Sequence, residues 1–455
     1  MLVYNSLSGK KEKLVIPKGR PLKFFVCGPT VYDASHIGHA RTYLVFDALV
    51  RFLRSRGAKV SYLENITDVD DRIIARARAA DESPFTVAKA FEKEFMSAMK
   101  AIGATSVDRY ARASDHIPEI AAQIDALIRK GYAYEIPGDG WYFDVKKFPR
   151  YGALSRRTVE QADDSVSRID ASVKKRHRAD FCLWKSVKTK KKTKLFARGI
   201  ENGEPFWNTP IGCGRPGWHI EDTAISERYF GPQYDMHGGG VDLKFPHHEA
   251  EIAQAEAVSG KRPFVRYWLH AGSLLVEGRK MSKSLKNFVT ISEFLGNEPE
   301  KRSALLRLIV LGSHYRSPVH FSGASAEQAE RAYENMSFSL DALRFATKKG
   351  KKGGVPNATR ADISKMESAF AREMEDDFNT PNALAALFSA VQKVRFGAFS
   401  FSRAEARAFL RSAEGLLTTL GITVKTNAVP RSIAEMAVKR ELYRRNKQFT
   451  QSDAL

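Results

Sequence analysis

LKFFVCGPTVYDASHIGHARTYLVFDALVRFLRSRGAKVSYLEN, residues 22–65, decides the fold. Its opening LKFFVC (22–27) is a short apolar run stopped by Gly28-Pro29, the pattern of a buried strand. From His36 to Arg54 the apolar residues Tyr43, Leu44, Phe46, Leu49, Val50 and Leu53 recur at helical spacing. KVSYLEN (59–65) is a second strand. Strand, loop, helix and strand in this order open a doubly wound parallel sheet, so the predicted class is α/β. Outward from this unit, polar–apolar helices are predicted through about residue 132, and YAYEIPGDGWYFD (132–144) is predicted as a hairpin around Pro-Gly-Asp-Gly. KTKKKTK (188–194) has no apolar period and is expected as a surface loop, with RNA contact as its functional reading. A glycine-rich loop, HGGG (237–240), is expected to lead into a helix, HHEAEIAQAEAVS (247–259). From Glu298 the pattern is almost wholly helical, broken at KKGKKGGVPN (348–357), and there is no internal repeat.

The chain has 455 residues, 43% of them hydrophobic, enough for two or three domains with a real core. Lys+Arg total 73 against 52 Asp+Glu, a net charge of +21. Such an excess favours a polyanionic partner, because each neutralised phosphate releases counterions. The opening MLVYNSLSGKKEKL lacks a signal-peptide core, and no apolar run approaches the roughly 20 residues of a membrane helix. Three cysteines, Cys27, Cys182 and Cys213, do not make a disulfide framework. A cytosolic protein is expected, in which a lone cysteine points to metal or thiol chemistry.

Two motifs carry phosphate chemistry. His36-Ile37-Gly38-His39 lies after a strand and at a helix start, where free N–H groups and a partial positive charge suit phosphate. Two imidazoles can donate to a triphosphate, and Gly38 lets a nucleotide lie close to the backbone. Lys280-Met281-Ser282-Lys283-Ser284, behind Gly278-Arg279, brings two lysines and two hydroxyls to hold the charge of a leaving pyrophosphate. Taken singly, the first also reads as a pair of surface histidines and the second as a basic loop.

Together and in this order they resemble the HIGH and KMSKS signatures of class I aminoacyl-tRNA synthetases. The strings FFVCGPTVYDASHIGHAR (24–41), NITDVDD (65–71), GRPGWHIED (214–222), DMHGGGVDLKFPHHEAEIAQ (235–254) and HYRSPVHFS (314–322) are similar to those of cysteinyl-tRNA synthetases, over residues 2 to about 322. The resemblance implies a Rossmann-type domain on which ATP, with Mg2+, and L-cysteine form cysteinyl-adenylate, followed by transfer to the 3′ end of tRNA(Cys), in a monomer. It implies His36, His39, Lys280 and Lys283 as catalytic residues. ATP is expected along His36, Gly38, His39, Gly238, Gly239, Gly240, Lys280, Ser282, Lys283 and Ser284. Cysteine is expected among Cys27, Thr67, Trp218, His237 and Asp242, with Thr67 and Asp242 toward its ammonium group. One zinc ion is implied at Cys27, His247 and Glu251. His247 and Glu251, four apart on a predicted helix, share a face, and with Cys27 they offer N, O and S donors. An open position would take the substrate thiolate, so cysteine is told from serine without editing. The chain between His39 and Lys280 is also too short to add a large editing domain to the core sheet. Relatives usually carry a second cysteine after GWHIE. Here the residue is Asp222, which can bind zinc through oxygen and keeps the family's position, so it is the expected fourth ligand, with Cys213 in IGCG (211–214) as the rival.

The later helices resemble the family's anticodon-binding bundle, including MEDDFNTPNALAAL (374–387), in which Asp376, Asp377 and Asn379 are expected to cap the helix starting near Thr380-Pro381. The expected division is a catalytic domain at 1–297 with a connective insertion at about 100–230, a stem-contact helical linker at 298–347, and a helical anticodon-binding domain at 348–455. The basic stretch MAVKRELYRRNKQF (436–449) is expected to face RNA, and Leu455 falls where relatives usually continue with a small terminal subdomain. Two other classes compete: an ATP-dependent cysteine ligase with a small-molecule amine acceptor, and a silent RNA-binding paralogue. The helical C-terminal half and the +21 charge oppose the first, and the intact HIGH and KMSKS strings oppose the second.

Overall fold

A hairpin of β1 (Leu2–Asn5) and β2 (Lys10–Lys13) precedes the decisive unit β3 (Leu22–Val26), α1 (Ile37–Ser55) and β4 (Val60–Ile66). The computed structural model describes residues 1–157, 174–189, 193–281, 287–395, 397–425 and part of 436–454. His36 caps α1: its side chain accepts from the His39 N–H while the His39 side chain reaches back to the His36 N–H. Phe46 on α1 meets Phe24 on β3 edge to face, ring centres 5.5 Å apart, which seats the helix on the sheet. After α2 (Asp71–Ala80) and α3 (Pro84–Ala101) comes β5 (Arg109–Arg112). β5 interrupts the helices expected through about residue 132, and it puts a core strand inside the stretch expected as insertion. β5 is a short edge strand with arginine at both ends, so neither length nor apolar alternation marks it.

The insertion folds on its own sheet. α4 (Ile117–Arg129) leads into β6 (Ala133–Ile136), β7 (Gly140–Phe143), β8 (Phe181–Ser186), β9 (Arg198–Glu201), β10 (Glu204–Thr209) and β11 (Gly212–Pro216). These strands form an antiparallel sheet in the order β6-β7-β8-β11-β10-β9. The exposed Lys188 and Lys194 lie between β8 and β9, and residues 190–192 of that lysine run lie outside the described residues. The chain then returns through α5 (Ile220–Phe230), β12 (Tyr234–Gly240), α6 (Glu249–Ser259) and β13 (Val265–Ala271) to complete a parallel core sheet, β13-β12-β3-β4-β5. The order reverses between β3 and β12, the switch point where such sheets hold ligands beyond their strand ends. The HGGG segment belongs to β12, not to a loop. A Cβ on Gly238 would stand 2.7 Å from the Phe46 ring and one on Gly239 would stand 2.8 Å from the His248 ring, so these glycines admit close packing within the strand.

The two faces of β3 point into different cores. Phe24 and Val26 pack with α1 and the C-terminal helices, whereas Phe25 and Cys27 pack with α5, α6 and the insertion. Next, β14 (Leu274–Val276), β15 (Arg279–Lys280) and β16 (Val319–Phe321) make a small sheet around α7 (Ile291–Leu295) and α8 (Pro299–Leu311). A helical bundle of α9 (Gly323–Lys349), α10 (Asn357–Glu375), α11 (Thr380–Arg395) and α12 (Arg403–Thr419) follows. α9 begins in the expected linker and packs on α11 and α12. Asn379 accepts from the Asn382 N–H at 3.4 Å, as expected of a cap. Asp376 and Asp377 do not cap; they bind the N-terminal hairpin and the 314–316 turn instead. Much of the basic stretch 436–449 lies outside the described residues.

Candidate active site

A cavity of about 450 Å³ opens at the switch point. Two groups of side chains share its wall. The first stands at the start of α1: His36, Gly38 and His39, with Gly240, Asp242, Lys280 and Met281. The His36 and His39 rings stack, centres 3.7 Å apart. Each ring's Nδ1 accepts the other residue's backbone N–H, at 3.2 and 3.4 Å, which places the proton of each neutral ring on Nε2. Burial lowers the pKa of His36 to about 4 and of His39 to about 3, so both are neutral at pH 7 and act as N–H donors rather than cations. Residues 287–290 fold over this helix start. Ile37 N–H donates to the Val289 carbonyl at 3.1 Å, and the Phe288 ring stands edge-on to His36. Ser282, Lys283 and Ser284 lie outside the described residues. Lys280 is 75% exposed, its Nζ 3.7 Å from Asp242. Of the three glycines of HGGG only Gly240 lines the cavity, for the packing reason given above.

The second group is built on Cys27. β3 points this thiol toward α5 and α6, and those helices bring Asp222 and Glu251; His247 comes from the kinked π-turn (Lys244–His248) before α6. Cys27 Sγ, His247 Nε2 and one oxygen each of Asp222 and Glu251 lie within 4.8 Å of one another. His247 Nε2 is 3.1 Å from Asp222 and 3.3 Å from Glu251, and Trp218 stacks on the other side of its ring at 4.3 Å. Cys213 sits on β11 with its thiol 3.6 Å from Asn208, in neither donor group. A second donor group, Cys27, His237, His248 and Glu251, shares the thiol. It is sealed: His237 and His248 have no exposure, and their other ring nitrogens bond Tyr234 at 2.6 Å and His270 at 2.9 Å. Cys27, Asp222, His247, Thr67 and Trp218 face the cavity, whereas His237, expected beside the substrate, lies beneath Cys27 at 3.2 Å. Asp242 faces the cavity beside Lys280.

The chemistry of the Cys27 group fits a cation. Asp222 Oδ1 and Glu251 Oε2 are buried and have no hydrogen-bond partner among the described residues. Burial pushes the Glu251 carboxyl and the Cys27 thiol well above their usual ranges, and the Asp222 carboxylate pushes both further the same way. Among the described residues no lysine or arginine pairs with Asp222 or Glu251. Ionising these buried donors without a compensating charge is costly, and a divalent ion between them would remove that cost. S, N and O donors suit zinc. The sequence reading did not include Glu221, whose carboxylate accepts the Thr67 hydroxyl, nor His219, whose Nδ1 is 2.8 Å from Nδ1 of His247. Both adjoin Asp222 and Trp218 in GWHIED, which was the available signal.

Comparison with known proteins matches residues 14–331 to the family "tRNA synthetases class I (C) catalytic domain" and residues 369–424 to the DALR domain. The cysteine–tRNA ligase of Thermoplasma volcanium is 40% identical over 457 residues, covering 100% of this chain and 95% of that one. The cysteine–tRNA ligase of Persephonella marina is 44% identical over 394 residues, 86% of this chain and 77% of that one. Among solved structures, Mycobacterium tuberculosis methionyl-tRNA synthetase bound by methionyl-adenylate superposes with a TM-score of 0.60 at 16% identity, over 88% of this chain and 92% of that one. Agrobacterium radiobacter LeuRS, in a ternary complex, gives 0.62 at 14% identity, over 90% and 84%. These two show the shared fold, and the closer sequences carry the assignment: this chain belongs to the cysteine–tRNA ligase family of class I tRNA synthetases.

Proposed function

We propose that the chain activates cysteine with ATP and transfers it to the 3′ end of tRNA(Cys). The observation that carries this reading is one cavity with a thiolate-selecting donor set and a phosphate-binding helix start on the same wall. In the first step a carboxylate oxygen of cysteine attacks the α-phosphorus of ATP, the bond to the β-phosphate breaks, and pyrophosphate leaves. The Nε2–H groups of His36 and His39 donate to the phosphates, Gly38 keeps that approach open, and Lys280 with Lys283 holds the charge gathering on pyrophosphate. In the second step a hydroxyl of the terminal ribose attacks the acyl carbon and AMP leaves. Cys27, Asp222, His247 and Glu251 are the proposed zinc ligands; the first three line the cavity and Glu251 is buried behind them. Zinc bound there supplies a Lewis acid that takes a thiolate far better than a hydroxyl. Trp218 fixes the His247 ring by stacking, and Thr67 faces the same space with its hydroxyl tied to Glu221.

The sequence resemblance supports the domain division at 297 and 347 and a cytosolic monomer. No helix among the described residues is long and apolar enough to cross a membrane. Nothing in the fold favours a small-molecule acceptor or a silent paralogue. Charging of tRNA(Cys) with labelled cysteine, and no charging with serine, is the expected result. Lys283→Ala is expected to slow cysteine-dependent ATP–pyrophosphate exchange by on the order of 10²-fold with little change in cysteine binding. No charging by the zinc-loaded wild type would overturn the proposal.

A further inference from the structure

Asp377 is fully buried between α10 and α11, in a place where no helix needs it. Its backbone φ is 59°, and the next residue, Phe378, has φ 50°. Two consecutive non-glycine residues in the left-handed region persist only where their surroundings hold them. The carboxylate supplies that hold. Oδ1 accepts from the Tyr4 N–H at 2.7 Å and the Tyr315 hydroxyl at 2.9 Å, and Oδ2 accepts from Arg316 at 2.9 Å. The Asp377 N–H donates to the Leu2 carbonyl at 3.0 Å, and the Arg316 guanidinium lies over the Tyr4 ring. One side chain thus ties the bundle to the N-terminal strand and to the turn at 314–316.

That turn is held from its other side by Arg41, two residues beyond His39 on α1. The Arg41 guanidinium is 1% exposed and donates to the carbonyls of Val310, His314, Tyr315 and Ser317 at 2.7 to 3.0 Å. The path from the histidine pair to the bundle is therefore α1, Arg41, the turn, Asp377. Both side-chain links are charge-assisted and anchored on a buried group, the Arg41 guanidinium and the Asp377 carboxylate.

We propose that Asp377 is a positioning residue for acyl transfer: it fixes the bundle relative to the start of α1, and so registers a tRNA held by the bundle with the adenylate in the cavity. This rests on the function proposed above. ATP and cysteine need only the cavity, whereas tRNA must span both bodies, so the two half-reactions should separate. The experiment measures cysteine-dependent ATP–pyrophosphate exchange without tRNA, and aminoacylation of tRNA(Cys), for wild type and Asp377→Asn. Expected are exchange within about twofold of wild type and an aminoacylation kcat lowered roughly 10- to 100-fold, with the KM for tRNA moved much less. Parallel loss of both activities, or no loss of either, overturns the proposal. Should Asp377→Asn fail to fold, Tyr315→Phe, which removes one donor, decides: the same split at smaller size supports the assignment and its absence overturns it. Wild type without cysteine-dependent exchange would overturn the functional reading, and this one with it; an active wild type without the split overturns this one alone.

Discussion

Asp222, proposed above as the fourth zinc ligand, stands where the family resemblance leads one to expect a cysteine. It lies in the first turn of α5, on the side of β3 to which Cys27 points, and its carboxylate comes within 3.1 Å of His247. Cys213 is nearby in sequence yet belongs to a hairpin strand, paired with Asn208. Asp222→Ala is therefore expected to lose zinc from the purified protein, while Cys213→Ala keeps it; metal analysis reporting the reverse would move the fourth ligand to Cys213. The His36–His39 pair makes a second residue-scale prediction. Their folded pKa values, about 4 and about 3, lie below the unfolded value of 6.5. As pH falls through 6.5 the unfolded chain takes up protons that the folded pair refuses, so the pair's contribution to stability is full above 6.5 and drains away toward pH 4. Between pH 7 and 5 the wild type should lose more stability, by urea midpoint, than His36→Gln/His39→Gln, since amides do not titrate. An equal loss in both proteins would mean the rings are not held neutral.

The glycines of β12 show what a single strand must provide. Residues 237–240 look like a loop in sequence because three glycines rarely extend a strand. Here Gly238 and Gly239 are strand residues whose missing Cβ atoms leave space for Phe46 and His248, so the strand is specified by what packs on it rather than by its own propensity. Gly238→Ala is expected to cost about 1–3 kcal/mol of stability through overpacking against Phe46. The double variant with Phe46→Leu should recover part of that loss in denaturant melts; no recovery would place the strain elsewhere. The same contrast explains which elements are readable in advance. β3, α1 and β4 show because apolar period, Gly28-Pro29 and the histidine cap agree locally. β5 and β12 are hidden, since one is a four-residue edge and the other is packed through absent side chains. The site divides likewise. Cys27, His247 and Glu251 stand out only through the family-like strings around them, since a lone thiol and two helix residues four apart also suit ordinary packing, whereas His237's place beneath the thiol and the sealed second donor group depend on which way each strand residue faces.

Among the described residues, two ionic joints built on a buried side chain tie the catalytic layers to the bundle. Asp377 is one. Arg307 is the other, with no exposure, donating to Asp47 on α1 at 2.7 Å and to the Leu420 carbonyl after α12 at 3.0 Å. A protein bolted in this way presents one continuous surface to a long substrate, and its charge decides what that substrate can be. The net charge is +21, and the described bundle and insertion add exposed basic residues such as Lys188 and Lys194 to those around the cavity. If tRNA is the acceptor, binding must release one set of condensed counterions for each phosphate neutralised. The logarithm of affinity should then fall linearly with the logarithm of salt, at about 0.7 to 0.9 per phosphate contacted. With six such contacts, raising salt from 50 to 200 mM should weaken tRNA binding by on the order of 10³-fold. Cysteine binding, which involves a small zwitterion in a cavity walled by Cys27, Trp218 and Thr67, should change little over the same range. Filter binding of tRNA(Cys) across a salt series, run beside equilibrium dialysis of cysteine, reads both slopes on one preparation. A flat tRNA slope would separate the basic charge from acceptor recognition and return the small-amine acceptor as the better account of the second half-reaction.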